Sequence, residues 1–179
     1  MQVSLRNSKE LEQSVIDKIE EVYMTSFPAN ERIPFEYLVM KTDYFEINGM
    51  LAVFCDDKFA GMLSYIKEQK YVFIMYFAIC EEMRSGGIGK WALHLFHTTF
   101  KDVIYIYEID KPVDEQTKRR ISFYESLGCV MNDYVYLLPP LQEGNAPFPM
   151  LLGSYPLGIS ESEYADIKYI LYHKIYRIE

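Results

Sequence analysis

The stretch YFAICEEMRSGGIGKWAL, residues 76–93, places glycines at 86, 87 and 89 between an apolar run and an amphipathic segment. Glycine enlarges the freedom of the unfolded chain, so a cluster of glycines implies that something must approach the backbone closely. The run that leads into them, Tyr71 to Ile79, is almost continuously apolar, as in a strand buried on both faces. Beyond the glycines the pattern reads as a helix to about Phe100 and then a strand from Val103 to Ile109, together one right-handed crossover. The first amides of a helix have no partner within it, and they sit at the positive end of its dipole. With no side chains at the glycines, and with Arg84 and Lys90 beside them, the turn is suited to an anion such as a diphosphate. A tight turn that only packs helix on strand is the plainer alternative.

Three phosphate-binding patterns compete for this turn. A P-loop needs Ser or Thr after Gly-Lys and a glycine at position 84; Trp91 and Arg84 stand there, so that pattern fails. A dinucleotide fingerprint matches Gly87, Gly89 and Ala92, with Glu108 about twenty residues downstream, but it belongs after the first strand of a parallel array. Here three hairpin-connected strands come first. The third pattern, R/Q-x-x-G-x-G/A, is met by Arg84-Ser85-Gly86-Gly87-Ile88-Gly89.

Toward the amino terminus, apolar residues Leu11, Val15, Ile19, Val22 and Tyr23 recur at helical spacing, which predicts a helix from about Ser8 to residue 24. A short helix is expected over Phe35 to Lys41. Two β-prone runs flank Asp56-Asp57-Lys58 as a hairpin, and KEQK, residues 67–70, turns into the central strand. A helix over Glu115 to Leu127 should stop at Gly128. Strand or loop follows in CVMNDYVYLLPPL and FPMLLGSYPL. Ser160 and Glu163 have capping-box spacing, with Ile159 and Tyr164 placed as a staple, so a terminal helix closes the chain. This order predicts an α+β fold with a mixed, mostly antiparallel sheet flanked by helices and a C-terminal helical extension.

The 179 residues suit a single domain, which at that size buries roughly two thirds of its unfolded surface. Half the residues are apolar, and the net charge of -8 disfavours a nucleic-acid partner. Basic residues gather at Arg84 with Lys90 and at Lys118, Arg119 and Arg120, either as solvated helix faces or flanking a small anion. The N-terminal segment has no apolar leader core, and no run approaches the roughly 18 apolar residues of a membrane span, so a soluble cytoplasmic protein is expected. Cys55, Cys80 and Cys129 lie far apart in apolar surroundings and read as reduced core residues. His94 and His97 have no evident third ligand, so no metal is expected.

Residues 76–93 as a whole resemble the acyl-CoA-binding motif of the GNAT N-acetyltransferase superfamily. RRISFYESLGC, residues 119–129, is similar to that family's later helix with its Tyr-x-x-x-Gly ending, and with the element order the resemblance spans roughly residues 5 to 138. It implies a single GNAT-like domain over residues 1–179 that transfers an acetyl group from acetyl-CoA, without metal, to a primary amine of a small-molecule or peptide acceptor. By that resemblance Arg84, Ser85, Gly86, Gly87, Ile88, Gly89 and Lys90 wrap the CoA pyrophosphate. Phe77, Ala78 and Ile79 pair their backbones with the pantetheine arm, and an amide near Ile79 stabilises the oxyanion. Tyr124, four residues before Gly128, would protonate the departing thiolate, although it could equally be a core tyrosine. Glu108 would take the amine's proton, directly or through water, or with Asp110 hold the acceptor's cation. Thr117 replaces the family's usual Asn at the pantetheine. Arg120 either reaches toward phosphate or pairs with Glu108. In FPANERIPF, a loop that borders the acceptor pocket in that family, Glu31 is the other candidate base or else an exposed loop acid, and Arg32 would bind an acceptor carboxylate. Residues 139–179 form an extension that either completes that pocket or mediates a homodimer. No cysteine sits beside a base, which favours direct attack over a covalent enzyme intermediate. A GNAT-like module that binds CoA or a partner without catalysis is the alternative.

Overall fold

The computed structural model describes residues 1–39, 48–141, 144 and 146–178. Met40 and Lys41, at the end of the expected second helix, and Gln142, Glu143 and Asn145 in the proline-rich stretch lie outside the described residues. By its contacts the chain divides into two compact units, Met1–Lys67 with Ile74–Asp102, and Glu68–Phe73 with the chain from Val103 onward.

In the first unit, β1 (Val3–Asn7), β2 (Asn48–Cys55), β3 (Lys58–Glu68) and β4 (Tyr71–Ile79) are neighbours in that order. β1 pairs antiparallel with β2, from Val3 opposite Cys55 to Asn7 opposite Leu51. The β2–β3 hairpin closes through Asp56 and Asp57, both at positive φ (48° and 59°), the geometry whose twist matches two antiparallel strands. Side chains alternate across this sheet. Met50, Ala52, Phe54, Met62, Tyr76 and Ala78 meet Ile19 and Tyr23 of α1 (Gln13–Ser26) and Leu38 of α2 (Glu36–Val39). Val53, Cys55, Ala60 and Ile79 meet Ile88 and Ala92 of α3 (Ile88–His97) on the other face. The Tyr76–Ile79 end of the run is therefore apolar for the reason expected: it is covered on both faces, Tyr76 and Ala78 by α1 and α2 and Ile79 by α3.

Two boundaries differ from the sequence-based expectation. Ser8–Glu10 forms a separate 3-10 turn, capped by the Asn7 side chain, which accepts from the Lys9 amide at 3.0 Å; α1 begins only at Gln13. Residues 3–7, assigned nothing from sequence, form β1, whose Val3 and Leu5 pack with the α3 side of the core. Five residues with two apolar positions are too short a signal until a partner strand supplies the ladder.

In the second unit the order runs from the first residues of β4 to β5 (Ile104–Asp110), β7 (Phe148–Tyr155) and β6 (Val130–Leu138). Both pairings of β7 are antiparallel. The α+β class and the mostly antiparallel sheet expected from the sequence are thus present. Part of the expected extension, Phe148–Tyr155, is not appended but inserted, because β7 lies between β5 and β6. α4 (Glu115–Glu125) begins in a capping box of Asp114 and Thr117, and Gly128 follows it at φ +86°. α5 (Glu161–Tyr169) begins in the expected box of Ser160 and Glu163 and continues as one wide π-turn over Ile170–Ile175. Its tyrosines clasp β6: Tyr164 donates to the Val135 carbonyl and Tyr172 to the Leu137 carbonyl, each at 2.6 Å. Tyr134 and Tyr164 stack with ring centroids 4.3 Å apart. Carbonyls that an edge strand would expose are thereby occupied.

The three cysteines are free and buried, as expected. Among the described residues no helix is long and apolar enough to cross a membrane.

Gly61 is the tightest backbone approach in the first unit. A Cβ there would lie 2.2 Å from the Ala78 carbonyl oxygen and 3.0 Å from the Ile79 Cα, both backbone atoms. Gly61→Ala should therefore force β3 from β4 and cost about 2 kcal/mol, the range of core overpacking. Urea unfolding measures this, and a midpoint equal to the wild type's would contradict the close approach.

Candidate functional site

The site begins where β4 ends. The Cys80 amide still donates to the Ala60 carbonyl at 2.9 Å, and the Ala78 carbonyl faces Gly61, so these groups belong to the β3 side. Groups on one strand alternate in direction, which leaves those of Phe77 and Ile79 turned the other way. The Ile79 carbonyl accepts from Arg84 Nε at 2.9 Å. That bond folds the arginine back over the strand end and uses one of its five donors.

Beyond a short turn at Glu81–Met83, Ser85 and Gly87 both adopt positive φ, +69° and +78°. Gly87 is the cap of α3, and the helix's first backbone bond runs from the Trp91 amide to the Gly87 carbonyl at 3.1 Å. Among the described residues no protein acceptor meets the amides from Ser85 to Lys90. Residues alternating into the left-handed region turn successive N–H groups to one side, a concavity that suits anions. A Cβ at Gly86 or Gly87 would meet no heavy atom within 4 Å, so the space in front of them is open. Ser85, Gly86, Gly87 and Lys90 are exposed, while Ile88 is buried against Val53, Cys55, Ala60 and Ile79. One side of the turn is thus anchored in the core and the other faces out. Glu81 and Glu82 are exposed to solvent.

The loop before α2 is pinned to the same strand. The Tyr76 hydroxyl donates to the Glu31 carbonyl at 2.9 Å and accepts from the Ile33 amide at 3.2 Å, while Tyr23 donates to the Ile33 carbonyl at 2.8 Å. Arg32 turns back to the Met24 carbonyl at 2.8 Å. The backbone of this loop is thus held in place at Glu31 and Ile33 by Tyr76 and Tyr23.

In the second unit β5 carries two different faces. Tyr107 packs against Tyr124 of α4 with centroids 4.9 Å apart; Glu108, one residue on, points oppositely. Among the described residues the Tyr124 hydroxyl makes no hydrogen bond, and burial pushes its pKa up to about 12. It stays a proton donor throughout the neutral range. Glu108 accepts from Tyr136 of β6 on Oε1 and from Tyr176 on Oε2. Burial raises its carboxyl pKa, and the two phenol hydrogen bonds oppose the rise. Arg120 pairs with Asp110, not with Glu108 or toward a phosphate. The Thr117 hydroxyl accepts from the Val113 and Asp114 amides, both at 3.0 Å, and donates to Asp114, so its donor is spent within the start of α4 and not on a pantetheine. Among the described residues no three His, Cys, Asp or Glu side chains group as a metal site.

A sequence model of the acetyltransferase (GNAT) family matches residues 16–129. The chain belongs to that family. A protein from Bacteroides thetaiotaomicron assigned to the GNAT family superposes with a TM-score of 0.88 at 27% identity, over 100% of both chains. Arabidopsis thaliana Naa50, bound to the bisubstrate analogue CoA-Ac-MVNAL, gives 0.62 at 16% identity over 88% of this chain and 100% of its own. A Bacillus subtilis acetyltransferase in complex with CoA gives 0.59 at 14%, with the same coverage. The last two likenesses speak to the fold alone. Comparison with curated protein sequences gives no match.

Within the GNAT frame, the glycine turn and the strand end were both legible from residue types. Tyr136 and Tyr176 were missed as neighbours of Glu108, because nothing local in YVYLL or HKIYR marks a carboxylate partner.

Because folding raises the Glu108 pKa, the folded chain holds this proton more tightly than the unfolded one, whose carboxyl titrates near pH 4.3. The associated stability is complete below about pH 4 and declines as pH climbs through the folded pKa. Glu108→Gln has no such proton, so the melting temperature of wild type relative to that variant should fall as pH rises from 4 to 8. A difference independent of pH across that window would contradict the buried setting.

Proposed function

We propose that this GNAT protein is an N-acetyltransferase that moves an acetyl group from acetyl-CoA to a primary amine of a small-molecule or peptide acceptor by direct attack. The observation that carries the reading is the row of amides from Ser85 to Lys90, without protein acceptors among the described residues and facing open space at Gly86 and Gly87. A diphosphate matches those donors in charge and in number of acceptor oxygens. Bound there, acetyl-CoA supplies an acyl group already activated as a thioester.

Each side chain then has a defined task. Arg84 keeps guanidinium donors beyond the one given to Ile79, and exposed Lys90 adds a second positive charge at the turn. Phe77 and Ile79, whose backbone groups turn away from β3, are the residues suited to an extended ligand arm; Ala78 is committed to the β3 side. Tyr124, with a free hydroxyl held by ring contacts, donates the proton that a departing thiolate needs. Glu108, on the opposite face of β5, receives the proton of an acceptor ammonium or holds its charge. Glu31 and Arg32 border the acceptor through the pinned loop, by resemblance only. Direct attack is supported by the thiols. Burial raises the Cys80 pKa and pushes Cys129 up to about 12, so neither supplies a thiolate to carry an acyl group. The Arabidopsis neighbour's analogue joins CoA to a peptide, which supports an amine acceptor for this chain too.

Thiol release from acetyl-CoA across a panel of amines tests the reading. Turnover is expected on at least one amine, and Tyr124→Phe should lower kcat about 100-fold, the low end for a general acid, while leaving CoA affinity nearly unchanged. Saturable CoA binding with no turnover on any amine would instead leave a binding module.

Gly87→Ala puts a methyl group into the open concavity at φ +78°. Calorimetry should show CoA binding at least tenfold weaker, beside a stability loss of about 1 kcal/mol from the left-handed backbone. Unchanged CoA affinity would remove the turn from the ligand site.

A further inference from the structure

Glu108 is held unlike the acids around it. Asp110 pairs with Arg120, Glu68 with Lys174 and Glu163 with Lys70, each a carboxylate neutralised by a cation. Glu108 instead takes two neutral phenols, Tyr136 from β6 and Tyr176 from beyond α5. Tyr172, whose pKa is raised first by burial and in smaller part by the Glu108 charge, gives its hydroxyl to the Leu137 carbonyl instead. A carboxylate has about four acceptor positions, so two remain, and its charge is not cancelled.

Anchoring the tail does not require this arrangement. Tyr164 and Tyr172 already fasten the C-terminal helix to the carbonyls of Val135 and Leu137 without burying an ionisable group. The backbone is also adjusted for Tyr176. Its amide bonds to the Leu171 carbonyl, five residues back, at 2.8 Å. That π-turn holds one more residue than an α-helical turn and so rotates the side chains after it by about 100°. Wide turns of this kind concentrate at functional sites.

We propose that Tyr136 and Tyr176 are positioning residues that aim the Glu108 carboxylate at the acceptor amine, which makes the C-terminal segment a working part of the acceptor site. This rests on the reading of Glu108 as the group that meets the acceptor. In the reaction Glu108 takes one proton from the ammonium, leaving the nitrogen lone pair free to attack, and the carboxylic acid later returns that proton to water. Each phenol favours the ionised form against burial. Removing one therefore raises the Glu108 pKa and moves the acid limb of kcat/KM to higher pH.

The experiment compares Tyr176→Phe, Tyr136→Phe and Glu108→Gln with wild type, using the amine that turns over. Tyr164→Phe, which loses a clasp on the same tail but no bond to Glu108, controls for tail anchoring. Carbon NMR of the Glu108 carboxyl in the ligand-free protein follows its titration independently of turnover. Tyr176→Phe should shift that titration, and the acid limb with it, upward by about one unit, and Tyr164→Phe should shift neither. On the acid side of the profile kcat/KM of Tyr176→Phe should drop, and it should recover at higher pH. If Glu108→Gln is inactive but Tyr176→Phe keeps the wild-type titration and profile, the clamp is overturned while the role of Glu108 stands. If Tyr164→Phe matches Tyr176→Phe in profile, a purely structural tail is indicated and the clamp is again overturned. Full turnover by Glu108→Gln removes Glu108 from the reaction, and the proposal falls with that reading whatever the tyrosines do.

Discussion

The amides at the start of α3 have no acceptors within their own helix, and the packing beneath them leaves none elsewhere in the described chain. This depends on a small apolar contact: Ile79 at the end of β4 and Ile88 at the start of α3 share one buried cluster with Val53, Cys55, Ala60 and Ala92. Burial of those side chains sets the helix end at the strand end, so the donors face outward over bare glycine. Were the contact looser, the turn could relax and satisfy its own amides. The close approach of β3 at Gly61 serves the same end, since it commits the Ala78 carbonyl and the Cys80 amide to one side. Alternation then turns the backbone groups of Phe77 and Ile79 away from β3.

The second unit solves a different problem, that of holding ionisable groups in a partly apolar place. Tyr124, on α4 against the Tyr107 face of β5, and Glu108, on the other face of β5, each have a pKa raised by desolvation. The tyrosine-rich tail has its use here. Its hydroxyls cap the outward carbonyls of β6 and reach the carboxylate of β5, so that one segment both closes an edge strand and sets a charge.

The family and the glycine turn at the start of α3 were legible because their signals are local: a glycine cluster, an apolar run and helix caps all act within a few residues. Gly128 at the end of α4 and the Ser160–Glu163 box read correctly for that reason. Expectations about side-chain partners fared worse. Arg120 lies on Asp110 rather than on Glu108 or a phosphate, and Thr117 caps its own helix rather than a ligand. Helix α1 begins five residues later than its apolar spacing suggests, because Ser8 resembles a cap in isolation while Asn7 caps a separate turn.

Residue order alone established an α+β chain of the GNAT type with a phosphate-suited turn between β4 and α3, since hydrophobic period, turn residues and glycine spacing are written along the backbone. Only the tertiary structure inserted β7 between β5 and β6, laid Val3–Asn7 on β2, and brought Tyr136 and Tyr176 to the two oxygens of Glu108. Those contacts join residues up to 68 positions apart. No local propensity encodes them; they follow from which faces bury together and which carbonyls and carboxylates then need a donor.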